Sequence, residues 1–461
     1  MFNLLSSFLT SVINNPEITK LIKLFNDLNK FLVENIYLTY SLIALFIFIS
    51  FLFFLMNSTK AMMVHNIFLL LALIGNFFAS LTIFYDRGFN NIGWDKKSIC
   101  RWTELSQEFQ NVSIYSVQLI DNINTLNYNA PTFSLYYPPA IIDTVFFQCS
   151  IDNFVFNILG LCFFVAVSFI ISKSLKNVSF LETLLLIQFG LSVYYWIFKS
   201  GQFFIFETSF LVLGLIAIKN NKEIQSVIFF VIFGIQKIYF LLFAFLLNKK
   251  RALLNIAMLT LIIANLVNYN LVYDYFQFWF SSNGYVFGER VGYHSFFDEK
   301  LSRSSISTLF LIKEVFFNLN FINTLEISSQ RLLLLLTTFF LSLIVYFLFR
   351  QFVSDSTEKV NVYLKALLIT VLFPLLKPYS LIIYLIIVLF ISNELKQNYF
   401  LFSFSILIFP NFISYTAMLR MDNSIDYPIL EFSQLYILII HFLTTVFLVK
   451  FKKEYILKYK S

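Results

Sequence analysis

The sequence predicts an all-α integral membrane protein, a polytopic helical bundle of about 11–13 membrane segments, one of them re-entrant, with two large extracytoplasmic loops. Three observations predict it. Of 461 residues, 59% are hydrophobic and only 13% are charged, whereas soluble chains are about 25% charged. The mean hydropathy is +0.77. Stretches such as Ile43–Met56 and Leu332–Phe349 hold almost no polar side chain, and roughly 20 such residues cross a bilayer as a helix. Lipid offers backbone groups no partners, so the spans must be helical. A barrel would need alternating polar positions, and these runs are apolar on every face. No linker, internal repeat or low-complexity tract divides residues 1–461, which read as one polytopic domain.

The apolar runs fall at 35–56, 64–84, 154–172, 179–198, 203–218, 252–270, 331–350, 360–376, 379–394, 399–417 and 431–450. Segment 226–247 is also apolar but carries Lys237 at its middle, and 305–320 carries Lys313 and Glu314. Ahead of them all, Met1–Asn14 lacks the basic start and cleavage site of a leader and reads as a short interfacial helix.

Lys and Arg near span ends mark the cytoplasmic side. The tail from Lys450 to Lys460 therefore places the C-terminus inside. Counting back puts Lys396, Arg350 with Lys359, Lys249-Lys250-Arg251, Lys219 with Lys222, and Lys173 with Lys176 inside too. Segment 226–247 is then flanked by positive charge at both ends, so it is either a misjudged span or, the favoured reading, a re-entrant hairpin with Gly234-Ile235-Gln236-Lys237 near its tip. A charged tip at membrane depth needs a partner or a wet cavity. Two long loops, 85–152 and 270–330, come out on the extracytoplasmic face. The net charge of +7 is modest and sits mostly in short loops. It reads as a topology signal, so membrane lipid is an expected partner and nucleic acid is not.

The first loop is the richest in chemistry. It runs Tyr85-Asp86-Arg87-Gly88, then Gly93-Trp94-Asp95-Lys96-Lys97, then Arg101-Trp102-Thr103-Glu104. An acid placed just after a membrane helix sits at the water–lipid boundary. There it can act as general base on a sugar hydroxyl while a donor's lipid tail stays in the bilayer. A solvated mixed-charge loop is the plainer reading of any one of these acids. Further on, Tyr136-Tyr137-Pro138-Pro139-Ala140 is stiffened by two prolines that cannot donate backbone hydrogen bonds. The apolar stretch after it, Ala140–Gln148, reads as a Pro-initiated helix that dips into the membrane, or as an ordinary turn. Lys199-Ser200-Gly201-Gln202 forms a turn between two spans. Cys100 and Cys149 share the first loop and can pair if it faces an oxidising space, but free thiols are the plainer expectation; Cys162 lies in an apolar run.

The second loop carries Asn283, Glu289, Arg290, His294, Asp298, Glu299, Lys300 and Arg303. A phosphate leaving group needs cations, and arginine suits it by bidentate contact. Arg290 and Arg303 are therefore the candidates for a donor phosphate. His294 titrates near neutrality and is an alternative base, although a lone loop histidine is more often simply solvated. No Walker-type loop, helical His pair or Cys-x-x-Cys occurs, so no metal and no cofactor are expected.

Taken in order, Asp95, Tyr115, Tyr137-Pro138-Pro139, Gly201-Gln202, Lys237 and Lys249-Lys250-Arg251 resemble glycosyltransferase family 87, in the GT-C class of membrane glycosyltransferases. The resemblance spans roughly residues 64–310. It departs from the family where Ile238-Tyr239-Phe240 replaces the Pro expected after the mid-membrane Lys. The late Ser-Pro plus His segment is reduced to Lys377-Pro378-Tyr379-Ser380. The resemblance implies a GT-C-like bundle that transfers a mannose-like hexose from a polyprenyl-phosphate donor to a lipid or glycan acceptor, on the extracytoplasmic face. Asp95 would be the base, preferred to Asp86 for its spacing to Tyr115. Substrate contacts would come from Arg101, Tyr137, Pro138, Pro139, Gly201, Gln202, Lys237, Arg290 and Arg303. The membrane would be the cytoplasmic one of a bacterium or the endoplasmic reticulum of a eukaryote. Two other readings compete. A polysaccharide polymerase or ligase would use a diphosphate-linked oligosaccharide. A transporter or flippase would carry more ionisable residues near mid-span than Glu207 and Lys237.

Overall fold

The computed structural model describes residues 15–20, 149–175, 204–236, 241–247, 327–352, 359–372 and 381–395, with single positions elsewhere. Seven helices run through these residues. We number them α1 (Asn153–Ser174), α2 (Phe204–Lys219), α3 (Glu223–Gln236), α4 (Leu241–Leu247), α5 (Ile327–Phe352), α6 (Lys359–Val371) and α7 (Leu381–Leu395). Each coincides with an apolar run of the sequence. Predicted segment 226–247 is two helices, α3 and α4, and the predicted runs 35–56, 64–84, 252–270 and 399–417 lie outside the described residues.

Local chemistry explains where the helices start and stop. At the N-terminal side, the Asn15 side chain accepts from the backbone N–H of Glu17 at 2.9 Å, and Pro16 opens the helix. This is the preferred N-cap and first-turn pair. Asp152 precedes α1 and its carbonyl takes the N–H of Phe156 at 2.8 Å. The link from α2 to α3 is a Schellman turn. Lys222 N–H bonds back to Ala217 O at 2.8 Å and Asn221 N–H to Ile218 O at 3.0 Å. Asn221 takes φ 58°, the left-handed conformation that asparagine tolerates better than most residues.

That turn folds α3 back along α2. Gly214 makes the close approach possible, since a Cβ there would lie 2.4 Å from the Phe230 ring. The Phe230 ring in turn stacks on Phe243 of α4, centroids 5.8 Å apart, and Phe233 meets the same ring at 6.1 Å. One ring of α4 therefore touches two rings of α3, so the chain reverses between Gln236 and Leu241. Gly234 lies at this reversal, where a Cβ would meet Leu241 backbone at 2.7 Å. Only a glycine lets the two helices close so tightly.

α6 and α7 form the core. Tyr363–Val371 of α6 are buried, and so is every residue of α7 from Ile382 to Ile391. Tyr363 and Phe390 meet at 5.4 Å across the pair. α7 also packs on α2, and α6 on both α4 and α5, so α2, α3, α4, α6 and α7 close a circuit with α1 and α5 on its outside.

The helix ends sort by charge. The Lys219 ammonium, at the C-end of α2, donates to the Ser174 carbonyl at the C-end of α1. Lys359, opening α6, donates to the Lys219 carbonyl at 2.6 Å. Lys173 and Lys222 flank these ties in the chain, and Arg350 lies in the last turn of α5, nine positions before Lys359 opens α6. We call this the basic end.

The outer helices expose apolar side chains. On α1, Val155, Leu159, Val165, Phe169 and Ile170 are each more than a third exposed. On α5, the same holds for Leu332, Leu336, Phe339, Phe340, Leu341, Ile344, Val345, Phe347 and Leu348. Among the described residues no helix is long and apolar enough to cross a membrane.

Candidate functional site

Cys100 and Cys149 form a disulfide, with Cα atoms 5.4 Å apart. This corrects the expectation of free thiols. Both cysteines are helical residues, so each enters the bond from ordered backbone, and the fold supplies the approach that a separation of 49 positions concealed. Cys162 remains the free, exposed cysteine.

The bond fixes one end of the first loop. Cys149 stands four residues before Asn153, where α1 begins, at the end opposite the basic one. Arg101 follows Cys100 directly in the chain, and Asp95 precedes it by five positions.

Two further motifs adjoin that same end. α1 and α2 have their C-ends joined by Lys219, so both begin at the opposite end. In the sequence Gly201 and Gln202 stand three and two positions before Phe204, the first residue of α2. α3 runs antiparallel to α2 and finishes there at Gln236, and Lys237 is the next residue. α5 also starts there, because its C-end lies toward Lys359, and its first residues, Ile327–Gln330, take up the close of the predicted loop 270–330. The helix ends that border four of the expected elements are thus gathered at one end of the bundle.

The functional side chains themselves, Asp86, Asp95, Arg101, Tyr137, Pro138, Pro139, Gly201, Gln202, Lys237, Arg290, His294 and Arg303, lie outside the described residues, as does the stretch Ala140–Gln148. Among the described residues no group of His, Cys, Asp and Glu is arranged to hold a metal ion.

Within the described bundle, the polar groups with no partner lie away from this end. The hydroxyls of Ser168, Ser226 and Tyr363 are buried and make no hydrogen bond. Each stands within two turns of the basic end, on α1, α3 and α6. Asn393 donates to Glu394 at 3.5 Å in the same region. No sequence pattern singled these residues out, because serines and a tyrosine in apolar helices read as ordinary packing positions.

No protein family model, curated protein or solved structure matches this chain. The likeness to glycosyltransferase family 87 therefore stands on the residues quoted for it.

Proposed function

We propose that the chain is an integral membrane glycosyltransferase of the GT-C kind, taking a hexose from a polyprenyl-phosphate donor on the extracytoplasmic face. The observation that carries this reading is the convergence at the end opposite the lysines. The Cys100–Cys149 bond stands just before α1, and in the sequence Asp95 lies five positions before Cys100 and Arg101 one after it. Gly201-Gln202 and Lys237 border helix ends beside it. A structural disulfide belongs to an oxidising compartment, which agrees with an extracytoplasmic loop.

The membrane placement rests on surface chemistry. Soluble monomers rarely expose contiguous apolar patches beyond a few hundred Å², yet α1 and α5 expose apolar side chains along most of their length. α1 holds 22 residues with Lys173 as its one charge. It reaches about 33 Å, against a hydrocarbon thickness of about 30 Å. Among the described residues no helix is long and apolar enough to cross a membrane, so the membrane reading is supported by these outer faces together with the composition of the sequence.

The chemistry is a single displacement. Asp95 takes the proton of the acceptor hydroxyl, and the oxygen attacks the anomeric carbon from the face opposite the phosphate. The bond from that carbon to the phosphate oxygen breaks, and the polyprenyl phosphate leaves with the electron pair. Arg290 and Arg303 balance its charge, and the configuration inverts. The second-loop arginines supply the positive charge that such a leaving group requires.

The test is sugar transfer in membranes containing the chain, supplied with radiolabelled polyprenyl-phosphate mannose or glucose. A general base contributes roughly 10²–10⁴-fold, so Asp95→Asn should lose that much turnover while folding normally. Transfer that survives the substitution would move the base to Asp86 or His294. Absence of transfer from either donor would favour a polymerase or transporter.

A further inference from the structure

We infer that the basic end binds acidic phospholipid headgroups of the leaflet it faces; this rests on the membrane reading above. Two surfaces lead to it. The outward apolar stripe of α1 runs Val155, Leu159, Cys162, Ala166 and Phe169 at helical spacing and ends in Lys173. The stripe of α5 runs Leu332, Leu336, Phe340, Ile344 and Phe347 and ends in Arg350. Both stripes finish in an exposed cation at the same end of the bundle.

The cations there divide into two roles. Lys219 and Lys359 are turned inward and spend their ammonium groups on backbone carbonyls, joining α1, α2 and α6. Lys173, Lys222 and Arg350 stay exposed. Lys173 lies 5.5 Å from the centroid of the Phe169 ring, which also meets Phe180 edge-on at 6.0 Å. An ammonium on the outer face beside two rings, at the end of an apolar stripe, sits where lipid tails give way to headgroups. The described carboxylates at this end are Glu223 and Glu394, against five cations, so the surface is left positive.

The occupant is a lipid headgroup because the cations are continuous with hydrocarbon-facing surface. A soluble anion would gain nothing from the stripes, whereas a phospholipid places its tails on Phe169 or Phe347 and its phosphate on Lys173 or Arg350. Each basic residue near an acidic surface contributes about five-fold in binding.

The experiment uses the full chain in nanodiscs of phosphatidylcholine alone, or of phosphatidylcholine mixed with phosphatidylglycerol. Native mass spectrometry then counts the retained lipids. The expected result is preferential retention of phosphatidylglycerol. Lys173→Gln, Lys222→Gln and Arg350→Gln should each weaken that preference roughly five-fold, and high salt should weaken it further. Excess glycerol phosphate should leave it intact. Equal retention of the two lipids by the unaltered chain would overturn the inference while leaving the membrane reading in place. Failure to enter nanodiscs of either composition would overturn the membrane reading itself. Displacement by glycerol phosphate would assign the cations to a soluble anion and overturn the inference as well.

Discussion

At the scale of single residues, Gly214 is one of two tightly constrained glycines the structure describes. Its missing Cβ is the space that the Phe230 ring occupies, and Phe230 passes that contact on to Phe243. Gly214→Ala gains about 1 kcal/mol of helix propensity but puts a methyl 2.4 Å from an aromatic carbon. We expect the clash to prevail, with a net loss of about 1–3 kcal/mol, the usual range for overpacking. Thermal unfolding in detergent measures it, and adding Phe230→Leu should restore part of the loss. Restoration identifies the ring as the cause, whereas a double variant no better than the single one would assign the loss to the α2 backbone. Nothing in the sequence marked this glycine, because its role depends on a partner 16 positions away on another helix. Asn221 was more legible in principle. An asparagine between two apolar runs is a familiar left-handed helix end, and Asn220-Asn221-Lys222 offered the signal.

At the scale of elements, the helices were legible and the contacts between loops were not. Apolar runs bounded by lysines are read directly from sequence, and α1, α2, α5, α6 and α7 follow them to within a few residues. The reversal between α3 and α4 was legible for a physical reason. Positive charge on both sides of one apolar segment favoured a hairpin over a single span, and α4 does pack back on α3, with Gly234 providing the close approach. The disulfide was not legible, since pairing depends on what the fold brings together. Its effect belongs to the loop and not to the helices. Removing it with Cys149→Ser should leave far-ultraviolet circular dichroism unchanged and lower sugar transfer, because the segment bearing Asp95 and Arg101 loses its tether. A disulfide closing a loop of this size contributes about 2–4 kcal/mol in typical proteins, so a modest fall in melting temperature should accompany the loss. Full activity in the Cys149→Ser protein would show that the tether does not position the site. The candidate catalytic residues could be named from sequence because acids, arginines and Pro-Pro pairs have recognisable chemistry, but loop sequences carry no periodicity from which their mutual geometry follows.

At the scale of the whole molecule, one polarity organises the chain. Lysines and arginine gather at one end, a disulfide and the helix ends bordering the candidate motifs gather at the other, and apolar side chains cover the outside between them. The bilayer of the proposed function would make all three consistent. The measurement that tests this most directly uses Cys162. With Cys100 and Cys149 paired, it is the free thiol, and it stands exposed about 14 Å along α1 from Asn153. A nitroxide attached there, with the protein reconstituted into phospholipid vesicles, reports its surroundings by collision. The account predicts frequent collision with dissolved oxygen and little with a charged nickel chelate, the pattern of a hydrocarbon-facing site. Collision with the nickel chelate at the rate of a solvent-exposed label would contradict it, because Cys162 would then face water and the apolar faces of α1 and α5 would need another cover.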